Sequence, residues 1–216
     1  MIITLDGPAG SGKSSTARAL AKKLGAVYLD TGAMYRSVTL AAIESGVDAA
    51  DAARLETISS AITIDFKDDP DGQRVIVNGR DRTLDIRTPK VEKQVSAVSA
   101  HKGVREKMVA LQRKIAATHP KVVVEGRDTG SVVFPDAKHK FFLSADPQAR
   151  AGRRAAQSAA QGIQSGDNLV REIMERDEKD SKRQVSPLVV PHGAVAIDNT
   201  NLSLDETIQK IIDLLA

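Results

Sequence analysis

The sequence predicts an α/β fold in which a five-stranded parallel sheet is flanked by helices and carries one small antiparallel hairpin insertion. Three observations predict it. Short apolar runs at 2–5, 27–29 ("VYL"), 121–126 ("KVVVEG"), 140–145 ("KFFLSA") and 194–198 ("AVAID") read as strands. Stretches of helical spacing alternate with these runs, as a parallel sheet requires. Over about residues 62 to 86 the apolar spacing changes to a period of two, which marks the insertion.

The elements follow in order. The short, largely apolar run at 2–5 suits the middle of the sheet. Lys13 to Leu24 places Ala17, Leu20, Ala21 and Leu24 on one helical face, and Gly25 is positioned to end that helix in the left-handed conformation. A strand at 27–29 leads into a helix that begins in "DTGAMYR" and ends near Gly46. "AITIDFKDD" and "QRVIVNGRDRT" then alternate apolar and polar residues, with turn signals at "DPDG" and "NG". Helical spacing returns at 88–99 and again at 103–118, where Val104, Met108, Leu111 and Ile115 share a face. Beyond the next two strands lie two charge-rich helices, about 147–161 and 167–183, joined by "QGIQSGD". The final helix opens on the capping pair Ser203 and Glu206 and lays Ile208, Ile211, Ile212 and Leu215 along one side. No repeat or low-complexity segment interrupts the series.

Composition narrows the function classes. The 216 residues suit one sizeable core, and 41% apolar with 27% charged residues is a globular balance. Basic residues number 31 against 28 acidic, which excludes a strongly basic arm for nucleic acid but leaves room for a local basic site, and 3% aromatics leaves few platforms for stacking bases. The lack of cysteine removes disulfides, zinc ribbons and thiol catalysis. "MIITLDG" is no signal peptide, and no run of about 18 apolar residues suits a membrane span. A soluble cytoplasmic protein is expected, without nucleic-acid or membrane partners.

The chemistry begins at "GPAGSGKS", which fits G-x-x-x-x-G-K-[ST] at Gly7, Gly12, Lys13 and Ser14. Glycines let the backbone curl until several N–H groups face one anion, and the following helix adds its positive end. Lys13 would reach the outer phosphates and Ser14 would hold Mg²⁺. With an apolar strand before it and a helix after it, the run is a P-loop of the P-loop NTPase fold, built for ATP or GTP. No N-K-x-D run is present to read guanine, which argues against a GTP switch.

Three further stretches hold arginines beside small or acidic residues: "DTGAMYR", "VEGRDTGSVVF" and "RDEKDSKR". The second begins at the carboxyl end of an expected core strand, where α/β folds place their ligands. Arg127 there would be partly buried and would answer a phosphate or a carboxylate. In the third, Arg176, Asp180 and Arg183 fall at i, i+4 and i+7 and would share one helix face, either toward a ligand or as solvated ion pairs. The four histidines are scattered and read as surface or packing residues. These features alone leave open a kinase with another small acceptor, or a nucleotide-dependent switch or assembly ATPase.

Together "GPAGSGKSS", "LDTGAMYR", "IRTPKVEKQVSAVSA", "VRE", "VEGRDTGSVVFPDA", "ERDEKDSKR" and "SPLV" closely resemble bacterial cytidylate kinase, in order and along the whole chain. The resemblance implies transfer of the γ-phosphoryl of ATP to CMP or dCMP, with Mg²⁺, by a monomer. It implies one kinase domain, with a core at 1–30, 119–146 and 184–216. A nucleoside-monophosphate-binding region carrying the hairpins would span about 31–118, and a helical lid about 147–183. ATP would be bound by Gly7, Pro8, Ala9, Gly10, Ser11, Gly12, Lys13, Ser14 and Ser15. Tyr35, Arg36 and Arg127 would hold the CMP phosphate, with Thr31 at a position where the family often has serine. Ser96, Arg105, Asp128 and Arg183 would surround cytosine, with Arg176 and Asp180 near the ribose. Arg150, Arg153 and Arg154 would come from the lid to the transferring group, so that Lys13, Arg127, Arg153 and Arg154 form the catalytic set. Asp128 has a physical reason to discriminate: a carboxylate accepts from the cytosine amino group and repels the carbonyl of uracil.

Overall fold

The computed structural model describes residues 1–67, 69, 72–160 and 168–215. Part of the "DPDG" turn and all of the "QGIQSGD" linker lie outside them. The described chain divides into two compact units, residues 1–28 with 116–216, and residues 29–115.

The first unit is built on a five-stranded parallel sheet. Its strands are β1 (Ile2–Asp6), β2 (Val27–Asp30), β6 (Val122–Gly126), β7 (His139–Ser144) and β8 (Val195–Asp198), in the order β2-β6-β1-β7-β8. The uncharged run at the N-terminus is therefore the central strand, paired in parallel with β6 and β7. Alternation along β1 separates its two faces. Ile3 and Leu5 pack with Ala17, Leu20 and Ala21 of α1 (Lys13–Leu24), Ile208 and Ile211 of α8 (Leu204–Asp213), and Val123, Phe141, Leu143 and Ile197 of the neighbouring strands. Each such large side chain, fully buried, contributes on the order of 1.5–3 kcal/mol. Thr4 and Asp6 point the other way and are also buried. Gly25 ends α1 at φ 59°, and the Ser203–Glu206 capping box opens α8, both as the sequence predicts. The two charged helices are α6 (Pro147–Ala160) and α7 (Leu169–Lys182).

The second unit contains α2 (Thr31–Glu44), α3 (Ala52–Ala61), α4 (Pro89–Val98) and α5 (Lys102–Ala117), the last of which runs just past the unit's end. Asp30 caps α2 by accepting from the Ala33 N–H at 2.8 Å. Ser37 and Thr39, buried inside α2, satisfy their hydroxyls by donating 2.8 Å bonds one turn back, to the carbonyls of Ala33 and Tyr35. The expected insertion is a three-stranded antiparallel sheet of β3 (Ile64–Lys67), β4 (Arg74–Val77) and β5 (Arg80–Asp81). Its "NG" turn has Asn78 at φ 50° and Gly79 at φ 78°, the two positive angles that a two-residue hairpin connection requires. Helix α3 has no counterpart in the sequence reading. It buries only Leu55 and Ser59, too few apolar positions to show a period.

Candidate active site

The phosphate loop leaves β1 at Asp6 and enters α1 at Lys13, and its glycines are placed by need. Gly7 sits at φ 148°, where a Cβ would run into the Leu143 carbonyl. At Gly10, φ 73°, a Cβ would lie 2.7 Å from the Arg150 carbonyl oxygen. Lys13 is buried and donates to the Pro8 carbonyl at 2.7 Å. Burial pushes its ammonium well below the ordinary lysine value, and the charge of Arg127 adds to the fall, against the pull of Glu125, Asp177 and Asp6. A polyanion placed beside Lys13 favours its charged form.

Ser14 donates to Glu125 Oε2 at 2.8 Å, while the Tyr28 hydroxyl takes the other oxygen of that carboxylate. Among the described residues no cluster of three or more His, Cys, Asp or Glu could hold a metal unaided. Mg²⁺ suits such a site: it takes few protein oxygens and keeps water and phosphate ligands. Because the Ser14 hydroxyl hydrogen is directed at Glu125, its oxygen lone pairs remain for a cation, so the residues present fit the ion.

Beside the loop, β6 ends in Glu125 and Gly126 and is followed by Arg127 and Asp128. Asp6, fully buried, fixes this turn: it accepts from Thr129 N (2.8 Å), Thr129 Oγ1 (2.9 Å) and Gly130 N (2.7 Å). Burial raises the Asp6 carboxyl despite those three donors. The turn continues as one π-type turn over Thr129–Val133. Arg127 donates to the Gly7 carbonyl at 2.9 Å and to Asp180 Oδ2 at 2.9 Å. Arg183 lies 3.8 Å from both Asp128 and Asp180. Burial alone would raise the Asp180 carboxyl, but Arg127, Arg176 and Arg183 together hold it below its ordinary value.

One expectation is corrected here. Arg183 does not share a helix face with Arg176 and Asp180, because α7 ends at Lys182 and Arg183 follows in extended conformation at ψ 142°. Nor is this a solvated charged face, since Asp180 is 5% exposed. The buried carboxylate pulls Arg183 back across the helix end.

From α6, Arg153 donates to Asn199 Oδ1 (2.9 Å) and to the Asn199 carbonyl (2.7 Å), while Asn199 Nδ2 donates to the Ser11 carbonyl at 2.9 Å. Arg150 donates to the carbonyls of Ala145 and Ala9, both at 3.0 Å. Arg154 is half-buried on the same helix, and Ser15 is exposed on α1.

The second unit arranges its own predicted residues. Arg36 makes two bonds to Glu92 Oε1, at 2.6 and 3.2 Å. The Arg105 guanidinium lies 5.0 Å over the Tyr35 ring and donates to the Ser99 carbonyl at 3.0 Å. Thr31 is buried in the first turn of α2, and Ser96 is half-buried on α4. Sequence reasoning missed Asp6, Glu125, Asp177 and Asn199. Asp6, Glu125 and Asn199 lie at or just past the carboxyl end of a sheet strand, and that position was the available signal.

A curled glycine loop with a buried lysine, joined to an arginine-bearing turn on the adjacent strand, defines a phosphotransferase of the P-loop class. Its fold resembles that of shikimate kinase from Bacteroides thetaiotaomicron, with a TM-score of 0.50 at 15% identity, covering 100% of this chain and 98% of that one. The family model for cytidylate kinase matches residues 3–216. The cytidylate kinase of Mycobacterium leprae is 46% identical over 216 residues, 100% of this chain and 95% of that protein. That of Lactobacillus johnsonii is 44% identical over 216 residues, 100% of this chain and 94% of that protein. The chain belongs to the cytidylate kinase family.

Proposed function

We propose that this chain performs the reaction for which its family is named. It is an ATP-dependent nucleoside monophosphate kinase that phosphorylates CMP and dCMP, giving ADP with CDP or dCDP. The observation that carries the reading is the 2.9 Å bond from Arg127 to the Gly7 carbonyl, which ties an acceptor-side arginine to the donor loop.

Phosphoryl transfer asks the protein for positioning and charge neutralisation. The acceptor oxygen of CMP is already ionised near neutral pH, so no general base is needed. Residues 7–15 bind ATP, with Lys13 against its outer phosphates. Ser14 would hold Mg²⁺, which would supply further charge neutralisation there. Arg127, Arg153 and Arg154 act on the transferring group, and loss of one such contact costs about 3 kcal/mol, or roughly 10² to 10³ in rate. The resemblance assigns Thr31, Tyr35, Arg36, Ser96, Arg105, Asp128, Arg176, Asp180 and Arg183 to the acceptor nucleotide. It also supports a monomer working in the cytoplasm, with residues 147–183 as a lid; among the described residues no helix is long and apolar enough to cross a membrane.

The test is ADP release from ATP and Mg²⁺ with CMP, dCMP, UMP, AMP or no acceptor. Turnover with CMP and dCMP above the others is expected, and Asp128→Ala should erode the preference for CMP over UMP. Acceptor-independent hydrolysis, or a preference for AMP, would overturn the reading. An equal loss on CMP and UMP would make Asp128 structural.

A further inference from the structure

Helix α7 carries two carboxylates three residues apart, Asp177 and Asp180, on one side of the helix. Each engages an arginine that reaches the phosphate loop. Asp180 accepts from Arg127, which donates to the carbonyl of Gly7. Asp177 is ion-paired with Arg150 of α6, which donates to the carbonyl of Ala9 at 3.0 Å. Asp177 also touches the loop itself, its Oδ1 accepting the Ala9 N–H at 2.8 Å.

Both backbone groups of Ala9 are thereby held from outside the loop, the N–H by a carboxylate and the carbonyl by the arginine paired with it. The next residue is pinned by contact, since Gly10 lies against the backbone of Arg150. The pair is shielded, with side-chain exposures of 8% for Arg150 and 16% for Asp177. Screening by solvent, which makes surface pairs nearly worthless, is weak here.

We propose that Asp177 is a positioning residue for the donor nucleotide: with Arg150 it fixes Ala9, so that the loop amides that follow are held ready for the ATP phosphates. The proposal rests on the reading of residues 7–15 as the ATP site. Asp177 touches no reacting atom and acts through Arg150 and the loop backbone. Its loss therefore falls on ATP and leaves CMP binding in place.

Titration calorimetry with ATP and, separately, with CMP tests this on the full chain and on Asp177→Ala, Asp177→Asn, Arg150→Met and the Asp177→Ala/Arg150→Met double variant. Thermal melting establishes that each variant is folded. The ATP Kd should weaken about tenfold in Asp177→Ala and in Arg150→Met, the size expected for one shielded charged contact. Because the two act as a unit, the double variant should be weaker than either single by less than about twofold. Asp177→Asn keeps an oxygen for Ala9 but sets an NH₂ group against Arg150, so its loss should be smaller than that of alanine; it carries the test if the alanine variant does not fold. Unchanged ATP affinity in a folded variant, equal losses for ATP and CMP, or additive losses would overturn the proposal. Lys13→Ala, run alongside, separates the underlying reading: if it leaves ATP binding intact, residues 7–15 are not the ATP site.

Discussion

Replacing Asp180 by asparagine removes one negative charge from among three arginines while keeping the side chain's shape. Asp180 lies 2.9 Å from Arg127 and 3.8 Å from Arg183, with side-chain exposures of 7%, 19% and 7% respectively. Removing one partner of a buried pair leaves the other charge uncompensated, at a cost of about 3–5 kcal/mol. Arg127 retains some solvent and the asparagine oxygen remains an acceptor, so the lower end, about 3 kcal/mol, is expected. For a chain of 216 residues this corresponds to a fall in Tm of about 6–12 °C at neutral pH. The sign of the pH dependence follows from the depressed carboxyl. Its contribution is fully present above the ordinary value of 3.8 and is lost as pH falls through the lower native value, where the wild-type group takes up a proton. Urea or thermal melts of both proteins at neutral and at acid pH should therefore converge in acid. A stability difference that stays constant across that range would refute the ion-pair account and leave Asp180 as a shape-filling residue.

Two other changes test the local geometry. Gly10→Ala must place a Cβ at φ 73° and 2.7 Å from the Arg150 carbonyl, so strain of about 1–2 kcal/mol plus the clash should weaken ATP binding at least tenfold by calorimetry. Ser203→Ala removes the N-cap acceptor of α8 and should lower stability by about 1 kcal/mol in urea melts while leaving nucleotide affinity unchanged; an unaltered midpoint would mean that the capping box is dispensable.

The regular elements were legible because their signals are local. The uncharged run at 2–5 that forms most of β1, the apolar face of α1 and the Ser203–Glu206 cap each announce themselves within a few residues. Helix α3 did not, because a helix that buries Leu55 and Ser59 alone has no stripe to detect. The phosphate loop was legible as a motif, and Arg127 as an arginine at a strand end. The partners that fix them were not, since Asp6, Asp177 and Asn199 acquire their roles only from the pairing of distant strands and the docking of α6 and α7. Arg183 does come beside Asp180, as the spacing suggested, but from extended backbone just past the helix, because helical spacing does not foresee where α7 ends.

The partners of the phosphate loop also set when it can take shape as the protein is made. Gly7 is held by a residue 120 positions later, Ala9 by residues 141 and 168 positions later, and Ser11 by one 188 positions later. Closing such long stretches of chain is slow relative to local contacts, and synthesis proceeds from the N-terminus at about 5–20 residues per second. The segment that reads as the nucleotide site thus leaves the ribosome well before the residues that brace it. Until those residues emerge it is a glycine-rich strand end without these bonds, and a chain halted before β8 would carry the whole motif without the Asn199 bond that steadies it.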